Sequence, residues 1–324
     1  MIVRVGTFNL NNLFSRYSFQ GQITTAPMTG SGGITLTFDS DEILARTFMG
    51  RLIKEKNPRE TAIIGERIRD VINADVLAVQ EVEHISVLKQ FNREFLNNMY
   101  PHVILIEGND SRFIDVGVLS KLPIGSIITH QAATHPEDAN RRVFSRDLLQ
   151  VEILDHTGAK LFNIYNTHLK SHFVPHGQDQ VTGAQRANDR RRRQAESIHR
   201  IVSRMERPNS RFVITGDMND PPDSPHIQAM LQSDGQALIN TLVNATETRP
   251  AKAETVGQGP GPASSVWTHR FNPTGPEFPR YELLDHIWAS ARLADSFGDA
   301  KIDRRTNHGG DGSDHDPAWV DFDL

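Results

Sequence analysis

Short apolar runs separated by polar, turn-rich segments dominate the pattern of this chain. Runs rich in aliphatic and β-branched residues, bounded by Gly, Pro, Asn, Asp or Ser, are typical of buried strands. Val3–Phe8 alternates only loosely between apolar and polar positions, as a strand covered on both faces would. The predicted strands are Val3–Phe8, Asp75–Glu83, Val103–Ile106, Asp115–Ser120, Gly125–Thr129, Leu148–Leu154, Lys160–Thr167, Phe212–Thr215, Leu283–Trp288 and Ala318–Phe322.

Between these runs lie segments with helical signals. One helix is predicted to begin at Pro58, because Asn57 can cap it and Glu60 follows three residues later. Its apolar positions fit one buried face, formed by Ile63, Ile64, Ile68, Val71 and Ile72. Further helices are predicted over Ser86–Tyr100, Gln178–Met205 and from Ser224 to Leu231.

Two long segments read as loops. Residues 15 to 40 are rich in Thr, Gly and Ser, and Gln22–Thr25 could pair with Gly33–Phe38 as a protruding hairpin. Residues 244 to 282 hold many Pro, Gly and Thr and predict a loop over one end of the fold, anchored by Trp267.

Composition adds bounds to this picture. The chain has 324 residues and no convincing linker, so we expect one domain over residues 1–324. No apolar run reaches the roughly 18 to 20 residues of a membrane helix, and the start lacks the regions of a secretory signal. We therefore expect a cytoplasmic protein without a membrane partner. There are no cysteines, which excludes disulfides and thiolate ligands, and the net charge is −5, so any nucleic-acid contact would be local.

The stretch Gly216-Asp217-Met218-Asn219 follows the apolar run Phe212–Thr215. In open α/β sheets this end of a strand is where sites are built. Asp217 and Asn219 are two residues apart, so in extended geometry both side chains leave the same face. The alternative is a plain turn, because Gly, Asp and Asn all favour turns.

Other polar groups stand at the ends of predicted strands. Each has an ordinary explanation: a turn for the amides, a solvated strand end for the glutamate, and a surface or core position for a single histidine. Asp285 interrupts an apolar strand, where a charge is costly unless it has a partner. The groups are Asn9 and Asn11, Glu81, His168, and Asp314 with His315.

Together these groups share one chemical character. They are carboxylates, amides and two histidines, and oxygen ligands suit Mg²⁺, Mn²⁺ or Ca²⁺ better than zinc. A hard cation beside a His-Asp pair is suited to water attack on a phosphoryl centre. The chain has no strand-turn-helix serine motif of the kind a serine hydrolase would need.

The order and wording of these motifs resemble the endonuclease/exonuclease/phosphatase superfamily, which has the deoxyribonuclease I-like fold. The matching pieces span nearly the whole chain and are Thr7–Asn11, Val79–Glu81, Asp115–Ser120, Asn166–Leu169, Gly216–Asn219, Leu284–Ile287 and Ser313–His315. The resemblance implies a four-layer α/β sandwich, in which two packed mixed β-sheets are flanked by helices. It also implies a metal-dependent phosphodiesterase or phosphomonoesterase.

The resemblance also implies roles for individual residues. Glu81 would be the principal Mg²⁺ ligand, with Asn9 beside it and Asp314 contributing. His315, held by Asp285, would be the general base or a phosphate contact. Asp217 and Asn219 would position the attacking water and stabilise the pentacovalent phosphate, although Asp217 is the alternative base, and His168 would contact a phosphoryl oxygen. Asn11 departs from the pattern, because relatives commonly carry an acid there, which puts a second metal in doubt.

The wording of Gly216–Pro225 and Thr167–Ser171 looks most like bacterial nuclease-like members, so we expect nucleic acid, and DNA first, as substrate. Asn11 and Lys170 are the predicted substrate contacts. The Arg-rich segment from Arg186 to Arg204 is either a solvated surface or a phosphate-binding cluster. The alternative substrates are small or lipid phosphoesters of the inositol phosphate or sphingomyelin type. An inactive binding module would be expected to have lost the acids, which are all present. The oligomeric state is left open.

Overall fold

A computed structural model of the chain describes residues 1–14, 56–110, 112–174, 177–233, 236–250, 261–271, 278–305 and 311–324. The predicted hairpin of Gln22–Thr25 and Gly33–Phe38 lies outside these residues. The strands are, in chain order, β1 (Ile2–Leu13), β2 (Val76–Val82), β3 (His102–Leu105), β4 (Asp115–Ser120), β5 (Ile124–Thr129), β6 (Thr134–His135), β7 (Asp138–Arg142), β8 (Leu148–Leu154), β9 (Lys160–His168), β10 (Phe212–Asp217), β11 (Gln232–Ser233), β12 (Gln236–Ala237), β13 (Ile239–Asn240), β14 (Thr246–Glu247), β15 (His269–Phe271), β16 (Arg280–Glu282), β17 (Asp285–Ala289), β18 (Phe297–Ile302) and β19 (Ala318–Asp323).

Two large mixed sheets contain most of these strands. Within the described residues, the first sheet has the order β14-β18-β19-β1-β2-β4-β3, and the second has the order β13-β17-β10-β9-β8-β5. Strand β1 runs parallel to β2 and antiparallel to β19, so the two ends of the chain lie side by side in the first sheet. In the second sheet β9 and β10 are parallel, and β17 is antiparallel to β10.

Of the four α-helices in the described residues, three lie where the sequence predicts helices, and the last was not predicted. The helices are α1 (Pro58–Glu66), α2 (Ile85–Phe95), α3 (Gln180–Met205) and α4 (Ala291–Ala294). The side chain of Asn57 accepts a hydrogen bond from the Arg59 amide, as the cap prediction requires. Helix α1 continues as a π-helix over Arg67–Ile72. Helix α2 is shorter than predicted, because the chain turns through left-handed conformations at Asn97 and Asn98.

Three apolar layers of side chains separate four layers of backbone. Val5 and Val118 of the first sheet pack against Val151 and Ile164 of the second. On the outer face of the first sheet, Ile64 and Ile68 of the first helix and Leu88 and Phe91 of α2 cover Leu77 and Val79. On the outer face of the second sheet, Ile198 and Val202 of α3 cover Tyr165 and Ile214. The prediction of a four-layer α/β sandwich is confirmed.

Some local predictions were wrong. The segment after Ser224 forms turns and a short 3₁₀ helix over Gln228–Leu231 rather than an α-helix. Strand β18 was missed because its sequence has no continuous apolar run and its first three residues are exposed. The long loop of residues 244 to 282 contains the short strands β14, β15 and β16. Trp267 is buried there and Arg304 stacks on its ring at 3.9 Å, which fits the predicted anchor.

A buried network of arginines and carboxylates closes one side of the first sheet. Arg67 Nε donates to Asp303 Oδ2 at 2.8 Å. Arg304 Nη1 donates to Asp316 Oδ2 at 3.2 Å, and Arg305 Nε lies 3.1 Å from Asp316 Oδ1. Because all five side chains are almost fully buried, this arginine network ties helix α1 to the segments around β18 and β19. Among the residues that the structure describes, no helix has both the length and the apolar composition to cross a membrane.

Candidate active site

Three strands of the second sheet bring predicted site residues side by side. Parallel pairing of β9 and β10 places His168 next to Asp217, and antiparallel pairing of β10 and β17 places Asp217 next to Asp285. All three side chains are buried. The ends of the parallel strands β9 and β10 therefore meet the start of the antiparallel strand β17 at one edge of the sheet.

Gly216 lets these strands approach each other. Its φ is +127°, and a Cβ at this position would lie 1.9 Å from the carbonyl oxygen of Thr167. Any side chain would push β10 away from β9 at the point where Asp217 leaves the strand. The glycine before Asp217 is therefore required by the backbone, and a turn alone does not account for it.

The first sheet contributes residues from a distorted strand end. The registers of β1 and β2 shift between Asn9 and Leu13, and those of β2 and β4 shift between Gln80 and Val82. Glu81 has a φ of +61°, and Asn11 and Asn12 also have positive φ. Asparagine tolerates this conformation, but for glutamate it costs roughly 1–2 kcal/mol. Strain of this kind tends to gather at functional sites.

Amide side chains join the two sheets at this edge. Asn9 Nδ2 donates to Asp217 Oδ2 at 2.9 Å, across the gap between the sheets. Deeper in the core, Gln80 Nε2 donates to Asn166 Oδ1 at 2.8 Å. The backbone amide of Asn219 donates to Asp217 Oδ1 at 2.9 Å. These bonds fix both oxygens of Asp217, so the carboxylate is held in one orientation.

Asp217 is buried among neighbours of mixed charge. Burial raises the pKa of Asp217 to about 7, and Asp285 adds to the rise, while His315 opposes it. Two imidazoles lie near the same oxygen: His168 Nε2 is 3.3 Å and His315 Nε2 is 3.8 Å from Asp217 Oδ2. A carboxyl group that titrates near neutral pH is suited to accept a proton from water.

His315 is paired with the buried Asp285. His315 Nδ1 lies 2.7 Å from Asp285 Oδ2. Burial alone would lower the pKa of His315, but Asp285 and Asp217 outweigh it and hold that pKa well above its ordinary value. For His168 the balance is reversed, because burial and the charge of Arg146 hold its pKa well below the ordinary value. The two imidazoles therefore differ in charge near neutral pH.

Glu81 fits the requirements of a hard metal ligand. Its Oε2 accepts a hydrogen bond from the backbone amide of Asn12 at 3.0 Å. Within the described part of the chain, no lysine or arginine lies within ion-pair distance of this carboxylate. Burial and Asp314 raise the pKa of Glu81, and His315 and Arg146 oppose that rise. A cation next to Glu81 would therefore stabilise its ionised carboxylate. Glu81, Asn9 and the half-exposed Asp314 together offer the oxygen ligands that Mg²⁺, Mn²⁺ or Ca²⁺ prefer.

Clusters of ligand atoms occur at the same edge. The side chains of Asp217, Asp285 and His315 lie close enough together to share an ion, and so do those of His269, Asp314 and His315. Both clusters contain His315, which Asp285 already engages. Asp314 lies 3.9 Å from His269 Nε2, and Glu81 has no ion-pair partner among the described residues. The ligand roles of Asn9, Glu81 and Asp314 stay predictions.

Two predicted substrate contacts lie at the margin of this edge. Asn11 Oδ1 accepts a hydrogen bond from Asn12 Nδ2 at 3.0 Å. Lys170 Nζ donates to the carbonyl oxygens of Ser171 at 2.6 Å and Phe173 at 3.1 Å. The Lys170 ammonium is thus occupied by its own loop, and its binding role stays a prediction.

Three residues of this edge escaped the sequence-based prediction. Arg146 is fully buried, lies 3.1 Å from Asp110 and donates to the Leu169 carbonyl oxygen at 2.9 Å. His269 packs its ring 4.8 Å from that of His315. Lys56 Nζ donates to the Asn11 carbonyl oxygen at 2.7 Å, near Glu81 and Asp314. Arg146 lies two residues before β8, which is antiparallel to β9. This position is the only feature of the sequence that could have indicated Arg146 as a site residue.

Comparison with known proteins gives a family match across this architecture. The profile described as "Endonuclease/Exonuclease/phosphatase family" matches residues 6–315. No functionally curated protein is significantly similar to the sequence. The matched range contains all the residues discussed above as candidates for the site.

Solved structures share the fold at low sequence identity. An endonuclease/exonuclease/phosphatase from Bacteroides vulgatus is 16% identical with a TM-score of 0.58, over 100% of this chain and 99% of that one. An AP endonuclease from Archaeoglobus fulgidus is 16% identical with a TM-score of 0.54, over 99% and 100%. A mannosyl-6-phosphatase from Bacteroides thetaiotaomicron is 13% identical with a TM-score of 0.53, over 99% and 100%.

Proposed function

The chain belongs to the endonuclease/exonuclease/phosphatase family, and we propose that it is a metal-dependent phosphodiesterase that hydrolyses nucleic acid, DNA in the first place. The observation that supports the chemistry best is the arrangement around Asp217. Its carboxylate is oriented by Asn9 and Asn219 and flanked by His168 and His315. Glu81 stands beside it as a carboxylate without an ion-pair partner among the described residues.

In this reaction Asp217 accepts the proton of the attacking water. Its pKa of about 7 suits that task. When bound by Glu81, Asn9 and Asp314, a hard divalent cation supplies charge stabilisation at the phosphoryl oxygens. The Asn219 side chain, whose Nδ2 donates to the Leu169 carbonyl oxygen at 3.2 Å, and the neutral His168 provide uncharged hydrogen-bonding groups for the same phosphate.

His315 acts as a charged phosphate contact in this scheme. The sequence left two roles open for it, general base or phosphate contact. Its pKa is held above the ordinary value by Asp285 and Asp217 against burial, which keeps a proton on the ring. An imidazolium cannot accept a further proton, so the base role goes to Asp217 and His315 stabilises the charge that develops on the phosphate.

The fold alone does not identify the substrate, because proteins named as an AP endonuclease and as a mannosyl-6-phosphatase share it. A substrate panel with Mg²⁺ or Mn²⁺ decides the matter: plasmid, linear duplex, single-stranded DNA, RNA, inositol phosphates and sphingomyelin. We expect cleavage of DNA that stops in chelator and in the Asp217→Asn variant. Turnover of inositol phosphates or sphingomyelin alone would overturn the nucleic-acid assignment.

A further inference from the structure

A small cleft lies between the β6–β7 hairpin and helix α3. It is lined by His135, Asp138, Arg141, Arg142, Arg190 and Arg193 and encloses about 40 Å³. In the same measure a cavity needs about 10–15 Å³ to hold one water molecule. The arginine cleft, as we call it, can therefore admit the oxygens of one anionic group.

The charge in the arginine cleft is strongly unbalanced. Four of the lining side chains are arginines and one is a carboxylate, Asp138, which lies 3.8 Å from Arg141. His135 is turned towards Glu196, with 2.8 Å between His135 Nε2 and Glu196 Oε2. Since one acid faces four arginines, the cleft carries a net positive charge although the whole chain is acidic.

Neighbouring arginines of the same helix are neutralised elsewhere. Arg191 is fully buried and donates to Asp220 at 2.8 Å, and Arg192 donates to both Glu137 and Glu196. Within the described residues, Arg190 and Arg193 have no carboxylate at ion-pair distance. Burial lowers the pKa of Arg190; Asp110 opposes that change, and Arg141 and Arg193 add to it. Of the four consecutive arginines at positions 190 to 193, Arg191 and Arg192 thus have carboxylate partners. Arg190 and Arg193 line the cleft and have none among the described residues.

The arginine cleft is connected to the active site by adjacent residues. Arg142 donates to the Asn109 side chain, and the next residue, Asp110, lies 3.1 Å from Arg146. Arg146 in turn donates to the carbonyl oxygen of Leu169, which directly follows His168. The cleft and the active-site edge are therefore only a few side chains apart, within the reach of one strand of phosphates.

We propose that the arginine cleft binds a phosphate of the same nucleic-acid strand, away from the phosphodiester that is cleaved. This proposal rests on the phosphodiesterase function proposed above and specifies its substrate as a polymer. A small phosphoester would fill the active site alone and leave the cleft unused. A strand with regularly spaced phosphates uses both places and releases counterions at each.

The test measures strand binding by fluorescence anisotropy in an Asp217→Asn background with Mg²⁺, so that the strand stays intact. The probes are a labelled single-stranded deoxyoligonucleotide and its duplex. We expect Arg190→Ala/Arg193→Ala to weaken binding about tenfold and to flatten the salt dependence by about one unit, because one phosphate contact is lost. The matched control, Arg204→Ala/Arg207→Ala, removes the same charge from exposed positions near the end of α3 and should change neither.

A second variant protects the test against misfolding. Arg141→Ala removes a side chain that is 79% exposed, so the fold cannot depend on its packing. It should weaken binding in the same direction, and Arg190→Lys/Arg193→Lys should restore most of it. Equal losses in the control pair, or none in any cleft variant, would overturn the proposal.

The outcomes separate this inference from the proposed function. Metal-dependent hydrolysis of bis(p-nitrophenyl) phosphate, with strand binding indifferent to the cleft variants, removes the cleft and leaves a phosphodiesterase. Strand binding that depends on Arg190 and Arg193, without hydrolysis of any phosphoester, keeps the cleft and removes the proposed function. If anionic phospholipid vesicles compete as well as the oligonucleotide at equal phosphate, the assignment to a nucleic-acid strand is wrong.

Discussion

The arginine network and the active-site edge both bury carboxylates at the ends of strands, but they balance the charge in opposite ways. In the network, Asp303 accepts hydrogen bonds from Arg67, Arg249 and Thr248, and all three bonds come from the chain itself. At the active-site edge, Asp217 is surrounded by amides and imidazoles. Glu81 has a backbone amide and no lysine or arginine at ion-pair distance among the described residues.

From this difference we infer that a metal cation would bind at Glu81 and that none is required at Asp303. Breaking a buried pair leaves an uncompensated charge, so the arginine network needs all its members and serves stability. A carboxylate without a cationic partner destabilises the protein in which it sits, and chains keep such groups where a ligand completes them. We therefore expect Glu81 to act as a metal ligand and Asp303 to contribute to stability.

The largest effect should follow a change at Glu81. Glu81→Gln keeps the shape of the side chain and removes the charge that holds the metal, so hydrolysis with Mg²⁺ should fall about 1,000-fold. Because the pKa of Glu81 is raised in the folded chain, the ionised carboxylate opposes folding at neutral pH. The thermal midpoint in chelator should therefore be unchanged or higher in the variant. A fall in that midpoint would place Glu81 with the structural carboxylates.

The opposite result is expected in the arginine network. Asp303→Asn removes the nearer of the two carboxylates that balance the buried Arg67 and leaves only Asp316 at 3.7 Å. The free energy of unfolding should therefore drop by about 3–5 kcal/mol in urea titration. The control is Asp299→Asn, an exposed position on β18, four residues before Asp303. If Asp303→Asn retains its turnover per folded molecule, the network serves stability and not catalysis, as the comparison predicts. A drop below about 1 kcal/mol would contradict the structural role of the network.

The pairing of Asp285 with His315 should appear in a pH profile. Asp285 favours the charged imidazolium, so an activity that needs this form is present below the raised pKa and is lost as pH rises through it. Asp285→Asn should lower the rate about 100-fold and move this alkaline limb to lower pH. A limb that stays in place, or that moves upward, would exclude the charged role of His315.

The smallest effect is expected at Lys56. Its ammonium lies near Glu81 and Asp314 and competes with a metal for their charge. Lys56→Gln should therefore tighten Mg²⁺ binding by a few-fold, since a charge near a protein surface acts through a high effective dielectric. The measurement is the Mg²⁺ dependence of the initial rate. Weaker binding in the variant would mean that Lys56 supports the metal site instead.

Much of this edge could be predicted from the sequence, because apolar runs mark the strands and polar residues directly after them mark the strand ends. His168 and Asp217 follow this rule, and the register then brings them together. Arg146 and His269 could not be found in this way. They enter from segments next to antiparallel strands, whose position depends on tertiary pairing rather than on local pattern.

The fold was predictable to a similar degree and for similar reasons. Strands such as β4 and β8 coincide with their apolar runs. Strand β18 has no continuous apolar run and is held in the sheet by pairing with β19 and β14. The positive φ of Glu81 was also beyond reach, because a bulge arises from mismatched registers of neighbouring strands and leaves no trace in residue type.

The central proposal is that Glu81, which has no ion-pair partner among the described residues, binds a metal. It is tested most directly by calorimetric titration of Mn²⁺ into the metal-free protein. Wild-type protein should bind one ion. Glu81→Gln should bind at least about 100-fold more weakly, because the chief charged oxygen ligand is lost, while Asp303→Asn measured where it is folded should bind like the wild type. Equal affinity of the wild type and Glu81→Gln would contradict the account.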